Sequence, residues 1–281
     1  ELHRKGFRGT EILLTDNMTV ERCRDSITGT KDWYPESDIF NGKPMTEGAG
    51  QQRAISRLAL DYSIREGKLA PLCEVIQELN ELTMDDSEQQ MRFYIISSLG
   101  GTGSGLILPL ALYLNRFVFE EFGDNLSICK GFFVLSSALK NSVGTRLELK
   151  SLDSNAYAAV KELSAFMQIA DDRKGRYQDT AMILAGSDTL SYDKYQNMAY
   201  EYCYLFGMAN GRGKRMHSFT ELKALVAQAV HMQACSPMHD RNSSREDNTI
   251  KHITYKMLEE GKKKLSRFGG IGCGELVYPY S

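Results

Sequence analysis

The residues best suited to chemistry lie in one short run, Gly100-Gly101-Thr102-Gly103-Ser104-Gly105. Four glycines in six positions let the backbone fold tightly and bring successive N–H groups up to an anion, because no Cβ stands in the way. Thr102 and Ser104 add hydroxyl donors. No Lys-Ser/Thr pair follows, so this is not a Walker-type phosphate loop, and the spacing does not fit GxGxxG either. The competing reading is a glycine-rich connector that holds nothing. Ser218 and Glu221 have the spacing of a helix capping box. His231, Cys235, His239 and Asp240 fall within ten residues and could ligate a metal, although the spacing matches no familiar zinc pattern. Lys262-Lys263-Lys264, with Lys256 and Arg267, gives a basic helical face for an acidic partner. Glu259-Glu260 dilutes it, and a solvated face is the simpler reading.

The glycine run needs a strand before it and a helix after it if its N–H groups are to converge on an anion. Phe93-Tyr94-Ile95-Ile96 reads as a fully buried strand ending at Ser97-Ser98, and an apolar helix runs from the glycines to about Phe122. Earlier in the chain, Glu11 to Thr15 reads as a short strand and residues 28–50 as mostly loop. Helices are expected over Gln52–Arg65 and Pro71–Leu82. Later, Leu126–Leu135 reads as a strand, Thr145–Ile169 as a long helix and Thr180–Ala185 as another strand. Helices follow at about Ser191–Ala209 and Phe219–Ala234, then a polar, mobile stretch over 236–248 and a basic helix over Lys251–Arg267. Strands separated by helices of this length imply an α/β fold, a doubly wound, mostly parallel sheet with helices on both faces.

The composition agrees with one large folded unit or two modest ones. The 281 residues carry a formal charge of −2, with 42% hydrophobic and 25% charged residues, close to the globular average. That balance argues against a generally basic nucleic-acid binder and against disorder over most of the chain. No run of 18 apolar residues occurs, the longest being broken by Pro109, so no membrane span is expected. The six cysteines are widely spaced with no CxxC pair, which suits free thiols in a reducing compartment. Glu1–Thr10 lacks the apolar stretch of a signal peptide. The cytoplasm is the expected location. A sequence opening without Met reads as a fragment or a partial chain.

Gly-Gly-Thr-Gly-Ser-Gly after a hydrophobic strand resembles the signature phosphate loop of the tubulin/FtsZ superfamily, with Leu99 where the family has a small residue. Glu47-Gly48-Ala49-Gly50-Gln51-Gln52-Arg53 resembles the Gly-Ala-Gly loop that faces the γ-phosphate, in the form seen in bacterial tubulin-like proteins. Thr180 to Leu190 is similar to the strand and guanine-side loop, with Ser187-Asp188 in place of Asn-Asp. The next helix would present an aromatic to the base, Tyr192 or Tyr195, with Gln196 or Asn197 as the polar partner. His217 to Lys223 resembles the catalytic loop, with Glu221 at the acidic position and Ser218 at the other. The resemblance covers roughly Glu47 to Lys223. The family's first phosphate loop is not found before Glu11. Gly269-Gly270-Ile271-Gly272-Cys273-Gly274 is similar to one, but reads more simply as a glycine turn.

The resemblance implies a tubulin-like nucleotide domain over 1–215, then the catalytic-loop helix and a reduced or incomplete C-terminal domain over 216–281. It implies GTP or GDP with Mg²⁺, bound over Gly48, Ala49 and Gly50, over Gly100 to Gly105, and by Ser187, Asp188 and Tyr195. It implies head-to-tail self-assembly into filaments, with slow GTP hydrolysis completed by Glu221 of a neighbouring subunit. The Leu99, Ser187 and Ser218 departures motivate a rival, a nucleotide-binding adaptor of the same fold that neither polymerises nor hydrolyses. A third reading is an NAD(P)-binding Rossmann enzyme. It lacks an acidic residue near Val134-Leu135, where a ribose-binding carboxylate would stand.

Overall fold

The computed structural model of the chain describes residues 18–27, 29–35, 39–45, 49–81, 91–123, 127–142, 145–169, 199–209, 213–236, 244–246, 248–249, 252 and 267–271. In chain order these form α1 (Val20–Ser26), a 3-10 turn at Thr30–Asp32, α2 (Arg53–Arg65), α3 (Ala70–Glu81) and β1 (Met91–Ser98). There follow α4 (Gly101–Phe122), β2 (Ser127–Val134), α5 (Ser136–Leu139) and α6 (Arg146–Ile169). β3 (Tyr202–Phe206), α7 (Phe219–Ala234) and β4 (Phe268–Gly269) complete the described elements.

All four strands are parallel and lie in the order β1-β2-β3-β4. Parallel strands need crossovers, and α4 and α6 supply the first two. Period-2 alternation divides the sheet's residues between its faces. On one face Ile95, Cys129, Phe133 and Cys203 are buried against α4 and α6, with Ile76 of α3. On the other, Phe132, Val134, Tyr204 and Phe206 are buried against Leu222, Val226 and Ala229 of α7. A sheet covered on both faces needs strands that are apolar at nearly every position, and six consecutive residues of β2 are buried.

α6 shows the matching helical stripe, with Leu152, Asn155, Ala156, Ala159, Leu163 and Phe166 all buried. α4 is the central helix. By length and composition alone it could cross a membrane, yet its apolar window is 56% buried inside this core. Asn115 of α4, 1% exposed, donates to the Ala199 carbonyl at 3.2 Å and accepts from the Ser127 hydroxyl at 3.0 Å and the Cys129 thiol at 3.2 Å. It ties the helix to the start of β2 and the approach to β3. A third cluster joins α1 and α2 through Val20, Cys23, Ile55 and Leu58.

Three expectations change. Where a helix is expected to run to Ala209, residues 202–206 form strand β3. Tyr202-Cys203-Tyr204-Leu205-Phe206 is aromatic-rich and places Cys203 on one face and Tyr204 and Phe206 on the other, which suits a buried strand. In the polar 236–248 stretch, Glu246 is held in place. Its carboxylate pairs with the ammonium of Lys130, whose side chain is 3% exposed, and accepts from Gln233. Near the C-terminus, Gly269 at the start of the glycine run belongs with Phe268 to a short strand beside β3, and Gly272 to Gly274 lie outside the described residues. The expected strands at 11–15 and 180–185, most of the basic helix over 251–267 and the Lys262–Lys264 run lie outside the described residues.

Candidate functional site

The carboxyl ends of the strands converge at one edge of the sheet, because the Leu99 N–H donates to the Val134 carbonyl and the Leu135 N–H to the Phe206 carbonyl, both at 2.8 Å. Parallel α/β sheets bind ligands at this edge. The glycine run leaves β1 here. Its local form is tighter than a loop: Gly100 is the N-cap, with extended backbone, and Gly101 already begins α4. Leu99 is fully buried and packs into the α4–α6 core, so its bulk points away from the edge.

The glycines are required by the protein's own close packing. A Cβ on Gly101 would come within 2.3 Å of Gln51 Cα, and one on Gly103 within 1.9 Å of the Ser98 carbonyl oxygen. One on Gly105 would meet Ser56 Oγ at 2.2 Å. Gly100 differs, since a Cβ there would make ordinary contacts with Leu152 and Leu139 at 3.5 and 3.7 Å. Ser104 is buried, and its hydroxyl donates to the Gly101 carbonyl at 3.4 Å. Thr102 is exposed. The N-cap residue supplies no side-chain acceptor to α4. Among the described residues, the N–H groups of Thr102 and Gly103 have no partner and face the edge where an anion would gain from the helix dipole.

The segment at 49–53 packs directly onto this helix start. Ala49 is 4% exposed, Gly50 has φ +55° and Gln51 has φ +62°, the one positive φ outside glycine among the described residues. The Gly101 N–H donates to Gln51 Oε1 at 3.1 Å. Asn155 of α6 donates through Nδ2 to the Gln51 carbonyl at 2.9 Å and to Oε1 at 3.3 Å. Arg53 donates to the Ser104 carbonyl at 3.0 Å and holds Glu162 of α6 through both terminal guanidinium nitrogens, Nη1 to Oε1 at 2.9 Å. Asn155 and Glu162 lie seven residues apart, on one side of α6. Beside this junction, Arg53, Arg57, Trp33, Gly105 and Phe166 line a cavity of about 310 Å³.

Glu221 also lies at this edge. α7 runs antiparallel to the strands: its start follows the turn that leaves β3, and near its other end the Gln233 carbonyl accepts from Tyr94. Half of the capping box is formed, and its carboxylate reaches one residue further back than the N-cap. Ser218 Oγ accepts the Glu221 N–H at 3.2 Å, and Glu221 Oε2 accepts the His217 N–H at 2.8 Å. Glu221 and Gly100 to Gly105 therefore share one edge of the sheet.

Gly48, Ser187, Asp188, Tyr192, Tyr195, Gln196 and Asn197 lie outside the described residues, as do His239 and Asp240 of the metal cluster. No group of three metal-ligating side chains occurs among the described residues. Sequence reasoning quoted Gln51 and Arg53 only as part of a motif and missed Asn155. A signal for Asn155 exists: it is the polar residue in the apolar stripe of α6.

A family model described as tubulin-like matches residues 11–281. No curated protein and no solved structure matches the chain significantly.

Proposed function

Since the chain belongs to the tubulin-like family, we propose that it binds GTP at the carboxyl edge of its sheet and assembles head to tail into filaments. The observation that carries this reading is the junction of two glycine-containing segments, 49–53 and 100–105, at the start of a 22-residue helix. That helix start has no N-cap side chain and keeps the Thr102 and Gly103 N–H groups open to phosphate oxygens. The exposed Thr102 hydroxyl is a further donor. Mg²⁺ binds largely through phosphates and water, so it would enter with the nucleotide and need no dedicated protein cage. Guanine specificity is part of the proposal and would be set by the Ser187-Asp188 and Tyr195 region.

Because Glu221 shares the edge of its own glycine run, in this reading its Oε1 orients the attacking water for the nucleotide of its own subunit, and the head-to-tail contact acts by covering that edge; completion by a neighbour's Glu221 would need the two on opposite faces. The rival adaptor reading draws on the capping box, which already gives Glu221 a structural task. One substitution separates the two. Glu221→Gln keeps a carbonyl oxygen for the His217 N–H, since Gln serves in a capping box as well as Glu, but removes the charge.

The test is phosphate release from GTP against protein concentration, with ATP as competitor and sedimentation run in parallel. Release that begins only above a threshold concentration, together with polymer, supports assembly-dependent hydrolysis. Glu221→Gln is then expected to polymerise normally and turn over about a hundredfold more slowly. Bound GTP without turnover or polymer at any concentration would favour the adaptor.

A further inference from the structure

We infer that Gln51 is an internal occupant of the anion-binding helix start, held there by Asn155, and that phosphate must displace its amide oxygen. The inference rests on the nucleotide reading above and adds residues to that site. The first N–H of α4 is not waiting for a ligand, because Gly101 already donates to Gln51 Oε1 at 3.1 Å. Such an acceptor sits where a phosphate oxygen would collect the same donor together with those of Thr102 and Gly103.

Gln51 reaches this position only in the left-handed backbone region, at φ +62°, which residues with a Cβ rarely adopt. Asn155 offsets that cost. Its Nδ2 donates to both the backbone and the side-chain oxygen of Gln51, and Asn155 itself is 9% exposed. The absence of a Cβ on Gly101 lets the Gln51 backbone approach this closely. Asn155 is therefore a positioning residue. It couples α6, through Gln51, to the first donor of the glycine run.

Two substitutions at one position should act in opposite directions. Gln51→Gly suits φ +62° and removes the competing oxygen, so GTP should bind about fivefold more tightly, the worth of one neutral hydrogen bond. Gln51→Glu places a carboxylate on the helix start, where it strengthens the cap and repels phosphate. That variant should be as stable as the wild type or more so, yet bind GTP at least about tenfold more weakly. A residue with only a structural role would not separate stability from affinity in this way.

The experiment measures GTP affinity by calorimetry for the wild type and both variants, and amide hydrogen exchange at Gly101 in the nucleotide-free proteins. Protection at Gly101 in the wild type and in Gln51→Glu, lost in Gln51→Gly, with affinities moving oppositely, supports the inference. Equal protection in all three proteins overturns it, as does an affinity that falls in both variants. If the wild type binds no GTP, the nucleotide reading fails, while the exchange data still decide whether Gln51 occupies the helix start.

Discussion

At the scale of single residues, the glycine run divides into positions that the fold needs and one that it does not. Gly103→Ala would drive a methyl group to 1.9 Å from the Ser98 carbonyl oxygen and 2.3 Å from Ser97 Oγ. Backbone lies on that side, so β1 and α4 must part. We expect a loss of about 3 kcal/mol in urea unfolding. Gly100→Ala meets only the tips of Leu152 and Leu139 and has φ −88°, so its cost should stay within about 1 kcal/mol. Equal costs for the two would count against so close an approach of α4 to β1 at Gly103. The run itself was legible in the sequence, because glycine density is visible without a structure. Its partners were not. Gln51 acts through a left-handed conformation that leaves no local signal, and Asn155 shows only as a polar break in the apolar stripe of α6, with nothing to name a partner 104 positions away.

At the scale of elements, periodicity located α2, α3, β1, α4, β2, α6 and α7 to within a few residues, because each presents an apolar stripe or a continuous apolar run. α1 escaped since seven residues with two buried side chains carry too short a pattern. β3 was absorbed into a helix because a five-residue aromatic run fits either period. Burial inside an element also has a consequence for pH. Asp61 of α2 has a side chain only 1% exposed, and burial pushes its carboxyl up to about 7 against the opposing pull of Arg57. Arg53 and Glu162 are the other charges near this pair. An unfolded Asp titrates near 4, so between about pH 4 and pH 7 the folded chain binds the extra proton. Stability should therefore fall as pH rises through that window, by at most about 4 kcal/mol, and level off above it. Asp61→Asn cannot titrate, and its urea midpoint should change less between pH 5 and pH 8 than that of the wild type. Parallel profiles for the two proteins would count against a raised carboxyl.

At the scale of the whole molecule, the segment around Glu246 is tied to the centre of the sheet. Lys130 lies on β2 beneath α7, and Glu246 is its charge partner. Removing one member of a buried pair strands the other, so Glu246→Ala should cost about 3–5 kcal/mol. Replacing the pair with Lys130→Met and Glu246→Leu together should recover most of that loss, as read from thermal unfolding of the single variant, the double variant and the wild type. A single substitution as harmless as the double would mean that the segment is not anchored there. The strands also follow one another across the sheet in the order of the sequence. Among the described strands each new one docks on the free side of the one made just before it, and none of these four has to be inserted between neighbours already joined. A chain of this kind can lay down its sheet in step with synthesis, β1 waiting only for α4 and β2 to leave the ribosome. The start of α4, with Gln51 and the glycine run, would then be assembled well before the C-terminal residues are made.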